Sequence, residues 1–402
     1  MLPPKKSPAM DNRVKLIVFL LAVAGIFVVK NWRDGISQSE SMMAPSSTRL
    51  ETSLSSSAVS MLVSPSKKEL MESSVRAFNA KNPGGIVVEA KTTYDAIHYI
   101  LEAPGLAKRP GLFSPIYPDC ATSADNFFVR IFHMSGLRTD DPNQDFIFAE
   151  TPIIFLTTEK REKELRRILG VDNPWEVIRK MTRDKVNPSW GPLRFSFCNP
   201  EVSASGLITL GMMLRDWKLT QPEMSETKFL KQATAGVVLD EAARQDSEQL
   251  VKKYLSEVSA PKGSTRDFIA VEESLALKAV QENPNMNLKV IYPIKVALLQ
   301  HRLSVLNSPW NQGKSLETSR AFALFMKTDE AHQVLTKNFL HPATLNDDLL
   351  PLIETRRPEG FRIVLPSDKV DRPDYNDLMN FSSMWTHLIE PDIARTKLAD
   401  NN

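Results

Sequence analysis

The stretch Asn199-Pro-Glu-Val-Ser-Ala-Ser-Gly206, running straight into Leu207-Ile-Thr-Leu-Gly-Met-Met-Leu214, constrains the fold of this chain more than any other. Before it, Leu193-Arg-Phe-Ser-Phe197 alternates like a strand, and after it the apolar residues recur at helical spacing. A strand is therefore followed by a short polar turn and a helix. Either Ser203 or Ser205 can serve as N-cap, with the first-turn amides pointing outward. Such an end is either an ordinary serine-capped turn or a place for a polar oxygen or anion, because free N–H groups and the helix dipole both attract negative charge.

Similar turns recur. Val59-Ser-Met-Leu-Val63 reads as a strand, Ser64-Pro-Ser66 as a turn, and 67–80 as an amphipathic helix with Leu70, Val75 and Phe78 toward a core. Ile86–Lys91 reads as the next strand, with Thr92 and Thr93 at its exit and a helix over Tyr94–Leu101. Gly111–Phe113 gives a third strand ending in Ser114-Pro115. Strands alternating with helices imply βαβ crossovers and a mainly parallel sheet. Ligands in such sheets bind at the carboxyl edge, so Ser64, Ser66, Thr92, Thr93 and Ser114 are each a helix cap or part of one binding rim.

Further on, Phe146–Phe148 and Thr151–Thr157 form a strand-like run interrupted by proline, and charged helical sequence begins at Glu159. Helices are expected to open at Pro174 and over Glu248–Val258. Lys262-Gly-Ser-Thr265 is another small polar turn, followed by a helical run over Phe268–Gln281. Lys289–Pro293 reads as a strand, Leu316–Asn338 as one helix, and Asp377–Lys397 as the last.

The N-terminus is different in kind. Lys5, Lys6, Arg13 and Lys15 precede the apolar run Leu16–Val29, and Lys30 and Arg33 follow it. That pattern fits a single-pass anchor, or a signal peptide cleaved after Ala22-Val-Ala24, with the N-terminus inside and the body exported. Residues 36–57, rich in Ser, Thr, Met and Pro, read as a flexible tether.

The 402 residues are 42% hydrophobic and 24% charged with a formal net charge of +2, enough for a large core and two domains. No basic patch interleaved with aromatics points to nucleic acid. Catalytic and metal chemistry lack a pattern. Ser203-Ala-Ser-Gly206 is not a GxSxG elbow, no glycine-rich phosphate fingerprint occurs, and the six histidines form no HExxH pair. Asp140-Asp-Pro-Asn-Gln-Asp145 lacks the central glycine and distal glutamate of a calcium loop and reads as a solvated turn. No enzyme activity, metal or cofactor is expected.

The segments SPSKKELMESSVRAFN, GLFSP, TPIIFLTT, PWEVI, NPEVSASGL, KGSTRDF, VEESLAL and VIYP stand in the order and spacing of bacterial extracellular solute-binding proteins. The chain resembles their type II periplasmic-binding fold, nearest the sulfate, molybdate and iron branch serving ABC transporters, from about Ala58 to Thr386. The resemblance implies an α/β fold of two lobes, mostly parallel sheets flanked by helices, with the ligand cleft between lobes. It divides the chain into a basic segment (1–15), the membrane helix or signal (16–30), a linker (31–57), lobe one (58–157), lobe two (158–288), and a return to lobe one with C-terminal helices (289–402). Ile153–Thr157 and Lys289–Ile294 would be the crossovers. Cys120 and Cys198 then fall in different lobes and are expected to be unpaired thiols.

By the same resemblance the ligand groups are Ser64, Ser66, Thr92, Thr93, Ser114, Ser203, Ser205, Gly206, Ser264, Thr265 and Glu273. Glu273 matches the glutamate of a Tyr-Glu pair, although Glu272 precedes it here. Lys67 and Lys91 add positive potential beside two of the turns. The implied partners are a small polar solute, an oxyanion foremost, together with an ABC permease and the membrane. The alternative is a membrane-anchored binding-fold protein that docks another exported or membrane protein.

Overall fold

From Val59 the chain alternates strand and helix much as its periodicity predicts. The computed structural model describes residues 59–82, 85–90, 118–123, 141–308, 311–344, 362, 368–370, 375–391 and 393. The N-terminal apolar run and tether, Thr92, Thr93, the helix expected over Tyr94–Leu101, the strand expected over Gly111–Phe113 and Ser114 all lie outside the described residues. No helix among the described residues is long and apolar enough to cross a membrane.

The elements follow in chain order. Strand β1 (Val59–Val63) leads through one tight turn, Pro65–Lys67, into α1 (Lys68–Asn79); β2 (Ile86–Ala90), β3 (Cys120–Ser123) and the long β4 (Asp145–Thr158) come next. Helices α2 (Glu159–Leu169) and α3 (Pro174–Asp184) precede β5 (Phe195–Phe197), which is followed by α4 (Ala204–Thr220), α5 (Glu226–Ala233) and α6 (Ser247–Ser259). Then come β6 (Phe268–Glu272), α7 (Glu273–Glu282), β7 (Leu288–Ile291) and β8 (Leu298–Val305). Helices α8 (Lys314–Phe325) and α9 (Asp329–Lys337), the short β9 (His341–Pro342) and α10 (Tyr375–Met384) complete the set.

One sheet runs in the order β2-β1-β3-β8-β4-β6-β5, with β7 and β9 also paired to β4. Its ends are parallel: β1 with β2, β1 with β3, and β5 with β6. Its middle is not. β4 runs antiparallel to β6, β7, β8 and β9, and β8 runs antiparallel to β3. The expectation of a mostly parallel sheet is therefore corrected to a mixed one. The reason lies in β4, which meets β8 over its first half and β7 over its second; only a short loop separates β7 from β8, too short for a helical crossover.

Pro152 does not interrupt the run as expected. It falls where β4 changes partners, paired to Leu298 of β8, while Ile153 begins the ladder with β6. A residue without a donor is tolerated where one ladder gives way to the next. Two other expectations change. Phe268–Glu272 is a strand, because all five of its residues are buried between β4 and β5. The single helix expected over Leu316–Asn338 is two, parted at Met326–Thr328, where the Thr328 hydroxyl accepts the Ala331 N–H at 3.4 Å and starts α9.

Two apolar clusters flank the sheet. One packs Met61 and Val63 of β1 and Leu303 and Val305 of β8 against Val75 and Phe78 of α1 and Phe322 of α8. The other gathers Phe155, Trp175, Phe195 and Phe268, with Phe195 and Phe268 stacked at 5.0 Å and Trp175 edge-on to Phe155 at 5.9 Å. Arg266, 1% exposed, is stitched beneath the second cluster. Its guanidinium donates to Glu257 at 2.8 and 3.1 Å, to Asp240 at 2.5 Å and to the Ser196 hydroxyl at 2.9 Å. Replacing it by methionine strands the buried Glu257 carboxylate and the partly exposed Asp240. Arg266→Met is expected to lower the unfolding free energy by about 3–5 kcal/mol in urea titrations.

Candidate functional site

The turn after β1 places the first polar groups. The Lys67 N–H bonds the Ser64 carbonyl at 3.0 Å, closing the turn, and the Ser64 and Ser66 hydroxyls stand 3.3 Å apart. Lys67 occupies the N-cap position of α1, and no side chain caps that helix. Its own side chain is only 3% exposed, and its ammonium has no hydrogen-bond partner among the described residues. Burial brings it down to about 8, against the opposing pull of the Glu272 carboxylate. A buried charge left without a partner is among the costliest features a fold can hold.

Glu272 is the last residue of β6 and stands at the N-cap of α7, 5% exposed. Burial holds its carboxyl above the usual range; the Lys67 ammonium pulls it back, and Asp246 pushes it further up. Each charge feels the other, and no ion pair joins the two among the described residues. Two other residues have polar atoms without a partner among the described residues, the Thr122 hydroxyl of β3 and both ring nitrogens of His301 of β8. Thr122 sits opposite Leu303, and His301 lies two residues before Leu303, so both point to one face of the sheet. His301 is held well below its ordinary value by burial and then by the Lys67 charge, so it is neutral and offers one donor and one acceptor.

From the other apolar cluster comes a knot of hydroxyls. Ser205 and Ser247 approach to 2.6 Å, Ser203 and Ser205 to 2.9 Å, and Ser203 and Ser247 to 3.4 Å, all buried. Ser203 holds the N-cap position of α4, yet its hydroxyl does not cap it. Gly206 lets this turn lie flat on the preceding strand end: a Cβ there would fall 2.1 Å from the Cys198 carbonyl oxygen. The turn is braced by Asn199, whose amide donates to Glu390 beyond α10 at 3.0 Å. Ser247 opens α6, capped by Asp246, whose carboxylate accepts the Gln249 N–H at 2.9 Å. The Pro65–Lys67 turn rests against α6. Four helix beginnings, those of α1, α4, α6 and α7, are thus linked through Lys67, Glu272, Asp246 and Ser247.

The other sequence-derived residues are engaged elsewhere. The hydroxyls of Ser264 and Thr265 donate to Glu257 at 2.9 and 3.0 Å, within the Arg266 network. Glu273 is fully buried, accepting from the Tyr292 hydroxyl at 2.6 Å and meeting His341 Nε2 at 2.6 Å. Its neighbour Glu272, set aside in the sequence as a departure, is the carboxylate opposite Lys67. Thr122, Ser247 and His301 were not singled out in the sequence; Ser247 carried a signal in the Asp246-Ser247 pair that starts α6, and His301 one in the alternation of β8. Cys120 and Cys198 are free and buried, both thiols pushed up to about 12 chiefly by burial. Among the described residues no group of His, Cys, Asp and Glu is placed to hold a metal ion.

Residues 59–341 match the family model of the bacterial extracellular solute-binding proteins. The chain belongs to that family. The match opens on the first residue of β1 and closes on the first of β9, so Lys67, Thr122, Ser203, Ser205, Ser247, Glu272 and His301 all fall within it. No curated protein matches the sequence. Among solved structures, the chain is similar to a periplasmic thiamin-binding protein, 12% identical, with a TM-score of 0.59 over 87% of this chain and 99% of that one. It is similar to the iron-bound HitA of Pseudomonas aeruginosa, 15% identical, with a TM-score of 0.55 over 84% and 99%. It is likewise similar to the sulfate-binding protein SubI of Mycobacterium tuberculosis, 12% identical, with a TM-score of 0.54 over 83% and 99%. At these identities the likeness is one of fold, and it supports the periplasmic-binding-type α/β architecture.

For this family member the buried Lys67 makes a pH test. Its ordinary value of 10.5 drops to about 8 on folding, so between those limits the unfolded chain holds a proton that the folded chain has lost. Stability from this group therefore rises with pH through that window. Relative to Lys67→Met, the wild-type protein is expected to gain about 3 kcal/mol in urea unfolding free energy between pH 7 and pH 10.5.

Proposed function

We propose that this protein captures a small oxyanion between its two apolar clusters, as the solute-binding component of an ABC-type importer. The observation that carries the reading is the Lys67 ammonium, buried and without a hydrogen-bond partner among the described residues. An oxyanion supplies the acceptor that Lys67 lacks, and helix N-termini and serine hydroxyls hold such an ion by many charge-assisted hydrogen bonds. Ser64, Ser66, Ser203 and Ser205, with Ser247, are the hydroxyls nearest to hand. Thr92, Thr93 and Ser114 complete the rim in this reading, and Gly206 keeps the α4 turn low.

The family membership supports an extracellular solute receptor, and one similar structure is that of the substrate-binding protein of an ABC transporter from Agrobacterium tumefaciens. In this reading β4 is the crossover about which residues 58–157 with 289–402 form one lobe and 158–288 the other. The basic and apolar N-terminal segment sends the body across the membrane and tethers it there. The partners are the solute and a membrane permease.

Thermal unfolding with a panel of oxyanions, polyols and metal ions tests the reading. A ligand present at 100 times its Kd stabilises by about 2.7 kcal/mol, a rise in Tm of a few degrees for a chain of this size. A saturable rise with an oxyanion, abolished by Ser205→Trp, is the expected result. No rise with any member of the panel, after refolding to remove carried-over solute, would favour the docking role instead.

A further inference from the structure

The last described helical segment reaches the two turns that carry the Ser203, Ser205 and Ser247 hydroxyls. Beyond β9, the Val370 N–H bonds the Val296 carbonyl at 3.0 Å and the Val296 N–H bonds the Asp368 carbonyl at 2.8 Å, which fixes residues 368–370 against the loop between β7 and β8. Then α10 packs on the second apolar cluster. Phe381 lies against Trp217 at 6.0 Å, and the buried Trp385 lies against Phe197 at 5.0 Å. From Trp385 to Ile389 the helix widens into a π turn, and the Glu390 N–H bonds the Trp385 carbonyl five residues back. One extra residue in a turn rotates whatever follows it by about 100°, and such turns are found chiefly at functional sites. Here the residue that follows is Glu390.

Its carboxylate holds two partners. Oε2 accepts from the Asn199 side-chain amide at 3.0 Å, and Oε1 accepts the Arg244 Nε–H at 3.1 Å. Asn199 is buried at the start of the turn that leads to Ser203 and Ser205. Its carbonyl accepts the Ser203 N–H at 3.1 Å, and its side-chain oxygen accepts the Glu201 N–H at 2.9 Å. Its own N–H bonds the carbonyl of Ala243 at 2.8 Å, the neighbour of Arg244 in the turn that leads to Ser247. The two turns are thus joined once through the backbone and once through Glu390, and they bring the Ser205 and Ser247 hydroxyls to 2.6 Å. Resting on the proposed solute-binding role of those serines, we infer that Glu390 is a positioning residue for the site: without touching the solute, it clamps the 199–203 and 240–246 turns so that the hydroxyls of Ser203, Ser205 and Ser247 converge. Groups fixed before the solute arrives cost no ordering on binding, so the clamp acts on affinity. Arg244 is half exposed, and an ion pair so open adds little to global stability.

The test compares the full chain with Glu390→Ala, Arg244→Ala and the double variant. Amide hydrogen exchange is measured on the free proteins, and affinity by calorimetric titration with sulfate, molybdate and inorganic phosphate. Glu390→Ala is expected to speed exchange over residues 199–206 and 240–249 and to leave β1 and α1 unchanged. It is expected to weaken whichever of the three anions binds most tightly by about tenfold, the worth of a hydrogen bond to a charged group. Arg244→Ala is expected to do the same to a smaller degree, and the double variant to bind no more weakly than Glu390→Ala, because the residues act in one network. Unchanged exchange in the two turns overturns the inference. So does faster exchange spread evenly over both apolar clusters, which is the mark of a merely structural residue. If Glu390→Ala does not fold, Arg244→Ala decides by the same exchange pattern, since its side chain is half exposed. Failure of the wild-type chain to bind any of the three anions overturns the anion reading instead, and exchange in the free proteins still decides whether Glu390 clamps the turns.

Discussion

Because β4 lends its first half to one ladder and its second half to another, the two apolar clusters share a single hydrogen-bonded frame. Everything at the candidate site is referred to that strand. Glu272 pairs with Ile153 at its midpoint, β8 pairs with the residues before it, β3 pairs with β8, and β1 pairs with β3 and ends in the Lys67 turn. Lys67 and Glu272 are 205 positions apart in the sequence numbering, yet an unbroken run of backbone ladders sets where each stands. The same frame explains how Pro152 is accommodated and why the middle of the sheet is antiparallel.

Within this frame the charged groups are treated in two ways. Arg266, Arg179 and Glu273 are buried and paired, with Glu257 and Asp240, with Glu176, and with Tyr292 and His341 respectively. Pairing offsets much of the desolvation cost, and such networks hold helices and strands in register. Lys67, Thr122 and His301 are buried and have polar side-chain atoms without a hydrogen-bond partner among the described residues. A buried polar group without a partner is destabilising in isolation, and a bound ligand can supply the missing partner.

Much of this was legible from the residues alone. The strand, turn and helix at Phe195–Leu214 and at Val59–Phe78 follow from period and from serine and proline, and so did the family, through its ordered motifs. What escaped depends on pairing at long range. Phe268–Glu272 has no local pattern that separates a buried strand from a buried helix; only β4 and β5 on either side decide it. In β8, Leu299, His301 and Leu303 alternate inward, a period of two that was there to be read. The choice between Glu272 and Glu273 was not legible, since it turns on Tyr292 and His341 arriving from β7 and β9 to claim one and leave the other.

The account rests on the Lys67 ammonium as the group that awaits the ligand. Its titration can be followed directly by NMR of isotope-labelled lysine, with Lys67→Met to assign the signal, in the free protein and with saturating oxyanion. The account predicts a midpoint near 8 in the free protein, displaced well upward when the anion is bound, because a neighbouring negative charge favours the ammonium. A midpoint that stays in place with the anion bound would contradict it.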